Sequence, residues 1–175
     1  MRVNAIRLGS VRICLALMLA LLVVPGYVVA PVLFAHAGSV TLAGKLAGDI
    51  FHMANIGIIF LTAAVLVFWL RMQKGGDEAA ALEIGRLRWS LLLALLLLVM
   101  INEYGISPII MDIKAQIAQI GAYDSLPAEN PLRQRFGMWH GISALVHLAA
   151  SLVAVVLVAV GAARTTAVAA QADDA

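Results

Sequence analysis

Charged residues are scarce in this chain. Only 13% of its 175 residues are Asp, Glu, Lys or Arg, whereas 63% are hydrophobic and the mean hydropathy is +0.98. A soluble globular domain has about 25% charged and about 45–50% apolar residues. The composition therefore excludes an ordinary soluble domain and predicts an integral membrane protein in contact with the lipid bilayer.

Cysteine and clustered positive charge are also lacking. The one cysteine, Cys14, cannot by itself form an intrachain disulfide or a cysteine-rich metal site. The formal net charge of +2 is too small to indicate nucleic-acid binding, and the basic residues flank apolar runs, where they set membrane topology. No phosphate-binding glycine loop, nucleophile elbow or HExxH motif occurs in the sequence, which argues against hydrolases and nucleotide-driven proteins.

The apolar runs predict an all-α fold, an integral membrane four-helix bundle. A chain of 175 residues holds four spanning helices of about 20 residues each and leaves no room for a second domain. We expect a cytoplasmic N-terminus over residues 1–10, a four-helix transmembrane domain over residues 11–163 and a disordered C-terminal tail over residues 164–175.

The helix boundaries follow from the apolar runs and from proline. Helix one should cover about residues 11–34 and bend near Pro25, because proline removes an intrahelical hydrogen bond. The other helices are expected at about residues 41–70, 86–105 and 136–160. Pro108 should loosen the end of helix three. Residues 109–120 then either continue that helix or lie on the membrane surface within a long connection over residues 109–135.

Cation counting predicts the orientation. In the four-helix arrangement, eight cations fall on one side of the membrane and four on the other. Because cytoplasmic loops are enriched in Lys and Arg, the asymmetry puts both termini in the cytoplasm. The eight are Arg2, Arg7, Arg12, Arg71, Lys74, Arg86, Arg88 and Arg164, and the four are Lys45, Lys114, Arg133 and Arg135.

Polar residues recur on one face of predicted helix four. His140, Ser143, His147 and Ser151 follow one another at spacings of three, four and four residues, which puts them on one stripe. Ionisable side chains inside a bilayer are costly unless they are paired, so this stripe should face protein or water. The same topology puts polar residues of helices two and three in the same half of the membrane, namely Asp49, His52, Asn55, Asn102, Glu103 and Ser107.

We expect these residues to form one polar cluster between helices two, three and four, and its role stays open. The side chains can hydrogen-bond one another and hold the helices together. They can bind haem or copper, with His52, His140 and His147 as cofactor ligands and His52, Glu103 and His140 as metal ligands. They can also belong to a small transporter or proton relay. The last alternative is a homo-oligomer or an assembly or stabilising subunit of a larger membrane complex.

His140 is the preferred ligand at this point. Gly141 leaves room beside it, and Phe136 and Trp139 put it just inside the membrane interface. His147 lies two turns deeper, about 10 Å along the axis, so the two histidines cannot share one ion on a straight helix. Each would need a partner from another helix. No catalytic residue is assigned, and the pattern disfavours an enzyme.

Several strings carry a family resemblance. They are residues 26–34 (GYVVAPVLF), 44–52, 102–108 (NEYGISP) and 136–143 (FGMWHGIS). Together they resemble the bacterial four-helix membrane proteins of the DUF4149 family, which are similar to eukaryotic transmembrane protein 205. The resemblance covers about residues 10–162 and implies a multipass protein of undefined biochemical function in a bacterial cytoplasmic (inner) membrane. Position 147 is often asparagine in such sequences, so His147 departs from the pattern and implies no two-histidine mechanism for the family.

Overall fold

The chain is a bundle of long helices. The computed structural model describes residues 2–74 and 85–173, and the described part of the chain contains no strand. Two π-helical segments, Val24–Val29 and Ile101–Ile106, lie inside otherwise continuous helices, and Tyr123–Ser125 forms a 3-10 turn. The α-helices are Arg2–Val23, Ala30–His36, Val40–Lys74, Arg86–Met100, Ser107–Ile120 and Pro131–Asp173.

Four stretches are long and apolar enough to cross a membrane, which confirms the all-α four-helix membrane bundle. We call them the first to the fourth span. They are Ile6–His36, Val40–Lys74, Arg86–Ile120 and Pro131–Val160. Between the first two spans the chain reverses within residues 37–39, where Gly38 has a φ of +77°, a conformation that suits a residue without a side chain.

The four spans pack in a ring, first on second, second on third, third on fourth and fourth on first. We call one end of the bundle the terminal end, where the first helix begins at Arg2, the second span ends at Lys74 and the third begins at Arg86. The distal end carries the connections at residues 37–39 and 121–130. In the distal half the backbones come together as two pairs, first with second and third with fourth, whereas the second span approaches the third mainly along Arg86–Met100.

The third span is longer than the apolar run alone indicates. Pro108 occupies an early position of the helix Ser107–Ile120, where its missing N–H leaves few carbonyls unpaired, so the helix continues to Ile120. Of the two alternatives for residues 109–120, continuation of helix three is the one observed. The span has 35 residues and is about 52 Å long. A hydrocarbon core is about 30 Å thick, so a span of this length extends beyond it unless it tilts strongly.

An apolar core fills the terminal half. All four spans contribute buried side chains to it, and Trp69 is completely buried against the ring of Trp89 with a centroid distance of 5.3 Å. Its members are Val11, Leu15, Met18, Leu22, Ile58, Val65, Trp69, Met72, Leu92, Leu95, Val99, Ala150, Ala154 and Leu157.

A second and much smaller apolar cluster lies at the distal end. Ile113 and Ile117 of the third span pack there on Leu126 of the last connection. This cluster closes the distal end between the third span, its following connection and the start of the fourth span. The fourth helix itself extends to Asp173.

Large apolar side chains cover the outside of all four spans. Exposed examples are Ile13, Phe60, Leu97 and Leu145, one from each span. In water such a surface would be an aggregation hazard, whereas it suits contact with a lipid bilayer.

Candidate functional site

Glu103 is the centre of the strongest polar contact between two spans. Its carboxylate is buried within the π segment Ile101–Ile106 of the third span. Oε1 accepts a hydrogen bond from Nδ1 of His52, and Oε2 accepts one from Nδ2 of Asn55 at 2.8 Å. Both donors belong to the second span, so one carboxylate ties the second span to the third.

The local sequence explains this geometry. His52 and Asn55 are three residues apart on one helix, so they lie on the same face, one turn apart, and can share a single carboxylate. The acceptor lies in a π segment, a type of helical irregularity that is frequent at functional sites because it displaces side chains from their α-helical positions.

The two ends of the His52–Glu103 pair differ in exposure. The side chain of Glu103 is 6% exposed, whereas that of His52 is 58% exposed. Nδ1 of His52 contacts the carboxylate. The other ring nitrogen, Nε2, forms no hydrogen bond within the described part of the chain. The pair therefore runs from the interior of the bundle to its surface.

Asn102 and Ser143 join the third span to the fourth. The Ser143 hydroxyl donates a hydrogen bond to Oδ1 of Asn102 at 2.8 Å, and both residues are half-buried. Asn102 precedes Glu103 in the same π segment, so adjacent residues of the third span serve two different neighbours. This arrangement makes the π segment the point where three spans are joined by side chains.

His147 joins the fourth span to the first. Its Nε2 donates to the carbonyl oxygen of Leu22 at 3.0 Å, two residues before the π segment Val24–Val29. The ring lies edge-on against Phe51 at 5.1 Å and near Tyr27 at 6.1 Å between centroids. Gly26 makes the approach possible, because a Cβ at that position would lie 2.6 Å from His147 Nε2.

His140 occupies a separate place nearer the distal end. Its ring stacks on Phe136 with a centroid distance of 5.7 Å and an interplanar angle of 7°. Lys114 lies within electrostatic range of His140 and of Asp49, while its Nζ donates to the Gly44 carbonyl at 2.9 Å. Lys114 thus bridges the third span to the second above the Glu103 contact.

The residues singled out from the sequence are thus distributed over several contacts. His52, Asn55 and Glu103 meet, Asn102 meets Ser143, and the remaining members lie elsewhere. Ser151 is buried and donates to the carbonyl of His147 in its own helix, and Ser107 begins the helix that follows the π segment. Among the described residues, no group of three His, Cys, Asp or Glu side chains is placed to hold a metal ion.

Sequence reasoning missed three participants. The sequence analysis counts Lys114 only as a cation on one side of the membrane. In the structure its side chain reaches the carbonyl of Gly44, where the glycine has no side chain to block it. The other two are Gly26 and the Leu22 carbonyl. The Pro25-Gly26 pair indicates an irregular helix, but it does not indicate that His147 packs there. Backbone acceptors carry no residue-type signature, so the contact of His147 was not accessible from the pattern.

Comparison with protein families gives a match over much of the chain. The family described as "Domain of unknown function (DUF4149)" matches residues 13–119, which is more than half of the chain, so the chain belongs to that family. The matched stretch includes His52, Asn55, Asn102 and Glu103 but not His140 or His147. Neither a curated protein nor a solved structure matches the chain significantly.

Proposed function

Because the chain is a four-span member of the DUF4149 family, we propose that it is a membrane-embedded binding protein in which Glu103 anchors His52 and His52 receives a metal centre from outside the bundle. The observation that carries this proposal is the contrast within one hydrogen-bonded pair. Glu103 is 6% exposed and His52 is 58% exposed. A purely structural pair in a membrane would be expected to bury both members, because a lipid-facing imidazole is costly.

The chemistry of the pair fits a metal ligand. A carboxylate that accepts from Nδ1–H fixes the tautomer and the orientation of an imidazole, and leaves the lone pair of Nε2 pointing away. Imidazole nitrogen in this state is a ligand for copper, zinc and haem iron. Asn55 holds the second carboxylate oxygen and keeps the orienting group in place. In this proposal Glu103 acts through His52 rather than as a ligand itself.

The other histidines fit a ligand role less well. Nε2 of His147 already donates to the Leu22 carbonyl, and the ring is enclosed by Tyr27 and Phe51. His140 stacks on Phe136 beside a lysine, whose positive charge disfavours a nearby metal cation. The geometry therefore favours His52 over His140 as the first ligand, and a metal ion would need further ligands from another molecule.

The test is metal analysis and the visible spectrum of protein purified in mild detergent, after incubation with Cu²⁺, Zn²⁺ or haemin. We expect a bound metal or a Soret band that is lost in His52→Ala and kept in His140→Ala, the matched control histidine. Glu103→Gln should weaken binding by about 10- to 100-fold, the usual effect of losing an orienting partner. Equal binding by the wild type and His52→Ala would overturn the proposal.

A structural role is the second candidate, and the Ser143–Asn102 and His147–Leu22 hydrogen bonds favour it. In both, a polar side chain is satisfied by another span without any ligand. Hydrogen bonds between membrane helices each contribute about 0.6 to 2 kcal/mol. A colourless, metal-free protein that is destabilised by Glu103→Gln would support this role, and with it an assembly or stabilising subunit of a larger complex or a homo-oligomer.

Transport or proton relay has less support. Below Glu103 the terminal half is filled by the apolar core, and the buried hydroxyl of Thr62 bonds to the Ile58 carbonyl of its own helix. A path across the membrane through one copy would have to cross that core. Solute-dependent flux in liposomes that contain the purified protein is the measurement that would revive this alternative.

We also propose that the protein lies in a bacterial inner membrane with both termini in the cytoplasm. The cation asymmetry supports this orientation, since eight of the twelve Lys and Arg residues lie on the side of the membrane that holds the termini. The bacterial inner membrane is what the family resemblance implies. Cysteine labelling tests the orientation in a Cys14→Ser background. A thiol probe should react with Gly76→Cys only after the membrane is made permeable. Labelling of this variant from outside intact cells would show that the orientation is the opposite one.

A further inference from the structure

An open groove of about 380 Å³ runs along the surface between the first and second spans. It lies beside Pro25, where the π segment Val24–Val29 interrupts the regular helix, and buried Ala54 forms part of its floor. The lining residues are Leu21, Pro25, Asp49, Ile50, Met53 and Ala54. It is distinct from the Glu103 contact, which faces the third span.

The walls of the groove are apolar except at Asp49. The volume lies within the range of small-ligand sites, about 300–1,000 Å³. The side chain of Met53 is largely exposed along it. An apolar groove with one charged group suits a molecule that has a long apolar part and one polar group of opposite charge.

The depth of Asp49 follows from the second span. The exposed cation Arg71, which follows the last apolar residues of that span, marks its boundary at the terminal end. A hydrocarbon core of about 30 Å corresponds to about 20 helical residues, so the opposite boundary falls near Asp49. Met53 and Ala54 then lie deeper. The groove therefore begins at the level of lipid head groups and descends among the acyl chains.

The Asp49 carboxylate has no bonded partner of its own in the described part of the chain. It forms no hydrogen bond or ion pair there. Lys114 lies within electrostatic range, but its Nζ donates to the Gly44 carbonyl at 2.9 Å instead. Lys114 thus supplies a nearby positive charge but no hydrogen bond to the carboxylate, and a carboxylate at the edge of the hydrocarbon is costly unless its oxygens are also bonded. An ammonium group from the membrane can donate those hydrogen bonds.

We propose that this groove binds a phospholipid with a primary-amine head group, the ammonium group at Asp49 and one acyl chain along Leu21, Ile50 and Met53. Charge selects the head group, since an ammonium pairs with the carboxylate whereas a purely anionic head group is repelled by it. Apolar burial holds the chain. The occupant comes from the bilayer, because the groove is open at the surface of two membrane spans and Met53 beside it is 69% exposed.

Native mass spectrometry of the full chain in detergent tests the proposal, with phosphatidylethanolamine and phosphatidylglycerol added in equal amounts. The wild type should retain the amine lipid about two- to five-fold more than the anionic one, the range that a partly exposed ion pair provides. Asp49→Asn should abolish this preference while lipid is still retained. Met53→Trp, which fills the groove at an exposed position, should lower retention of both lipids.

Asp112→Asn is the matched control. Asp112 is another exposed carboxylate of the distal half, and it already accepts a hydrogen bond from Gln116 at 2.8 Å in its own helix. Its removal should leave the lipid preference unchanged. Equal retention of both lipids by the wild type, or an unchanged preference in Asp49→Asn, would overturn the head-group assignment. Undiminished retention in Met53→Trp would overturn the location.

Discussion

The terminal and distal halves of the bundle are held together in different ways. In the terminal half, apolar side chains from all four spans interlock, and residues such as Ile58 and Leu92 are completely buried. In the distal half, the first and second spans form one pair and the third and fourth another. Polar side chains connect these pairs, through Glu103 and Lys114 on one side and His147 on the other.

This difference shows what each kind of contact contributes in a membrane. Lipid tails are as apolar as leucine, so burial of leucine between spans gains only packing and not the hydrophobic effect. Close packing can nevertheless be extensive. A hydrogen bond between polar side chains of two spans is favourable, because the same groups would be costly if they faced lipid unpaired. Each such bond, however, joins the spans at a single point. The terminal half should therefore determine overall stability, and the distal half should determine register and ligand access.

The largest effect is expected from Trp69→Ala in the terminal half. Trp69 is completely buried and packs on Trp89, so its removal leaves a cavity. The lost packing around that cavity alone should lower the free energy of unfolding by about 3 kcal/mol. Thermal unfolding in detergent would measure the loss. Leu70→Ala, at the exposed neighbour, should change stability by less than about 0.5 kcal/mol. Equal effects of the two variants would break the distinction between core and lipid-facing positions.

Glu103→Ala should have the next largest effect. It leaves Asn55 and His52 without their shared acceptor and should cost about 2 to 3 kcal/mol. Glu103→Gln should cost less, because its amide oxygen can still accept one hydrogen bond. Denaturant unfolding of the variants, with Glu129→Ala in the exposed distal connection as the control, would sharpen the comparison. A stable Glu103→Ala protein would mean that the distal half does not depend on this bridge.

Gly26→Ala tests the contact between the first and fourth spans. The new Cβ would lie 2.6 Å from His147 Nε2, so the imidazole must move and lose its bond to Leu22. Overpacking of this kind should cost about 1 to 2 kcal/mol. In a His147→Ala background the same substitution should be almost neutral. Additive costs in this double-mutant cycle would show that the glycine serves another purpose.

Ser143→Ala should have the smallest measurable effect. It removes one hydrogen bond to Asn102 between half-buried residues and should cost about 0.6 kcal/mol. Ser151→Ala is the matched control, because its hydroxyl bonds only to the His147 carbonyl of its own helix. Both can be followed as shifts in the midpoint of thermal unfolding. A larger loss in Ser151→Ala than in Ser143→Ala would contradict the role given to the bond between spans.

The sequence was sufficient for the architecture. Long apolar runs and their flanking cations predict four spans, and the structure has them. Spacing singled out His147, four residues after Ser143, and predicted depth singled out His52, Asn55 and Glu103. These features depend on local periodicity, which a single sequence displays directly.

The pairing of those residues was not accessible in the same way. Two histidines at similar predicted depth, His52 and His140, have different neighbours because each faces a different seam of the bundle. Depth is a single coordinate, whereas a contact also requires the rotation of each helix about its axis. Both π segments change that rotation part-way along a span, and no simple residue pattern marks their length.

The π segments have a consequence for how this chain tolerates changes in length. Each α-helical residue turns the chain by about 100°, so deleting one residue within the α-helix Arg86–Met100 would rotate everything beyond it by about that angle. Lys114 and Ile113 would then face other neighbours. A π segment holds one residue more per turn than an α-helix, so a single deletion within Ile101–Ile106 can be absorbed by a return to regular α-helix. The distal seams therefore tolerate the loss of one residue at the π segment better than in the helix before it.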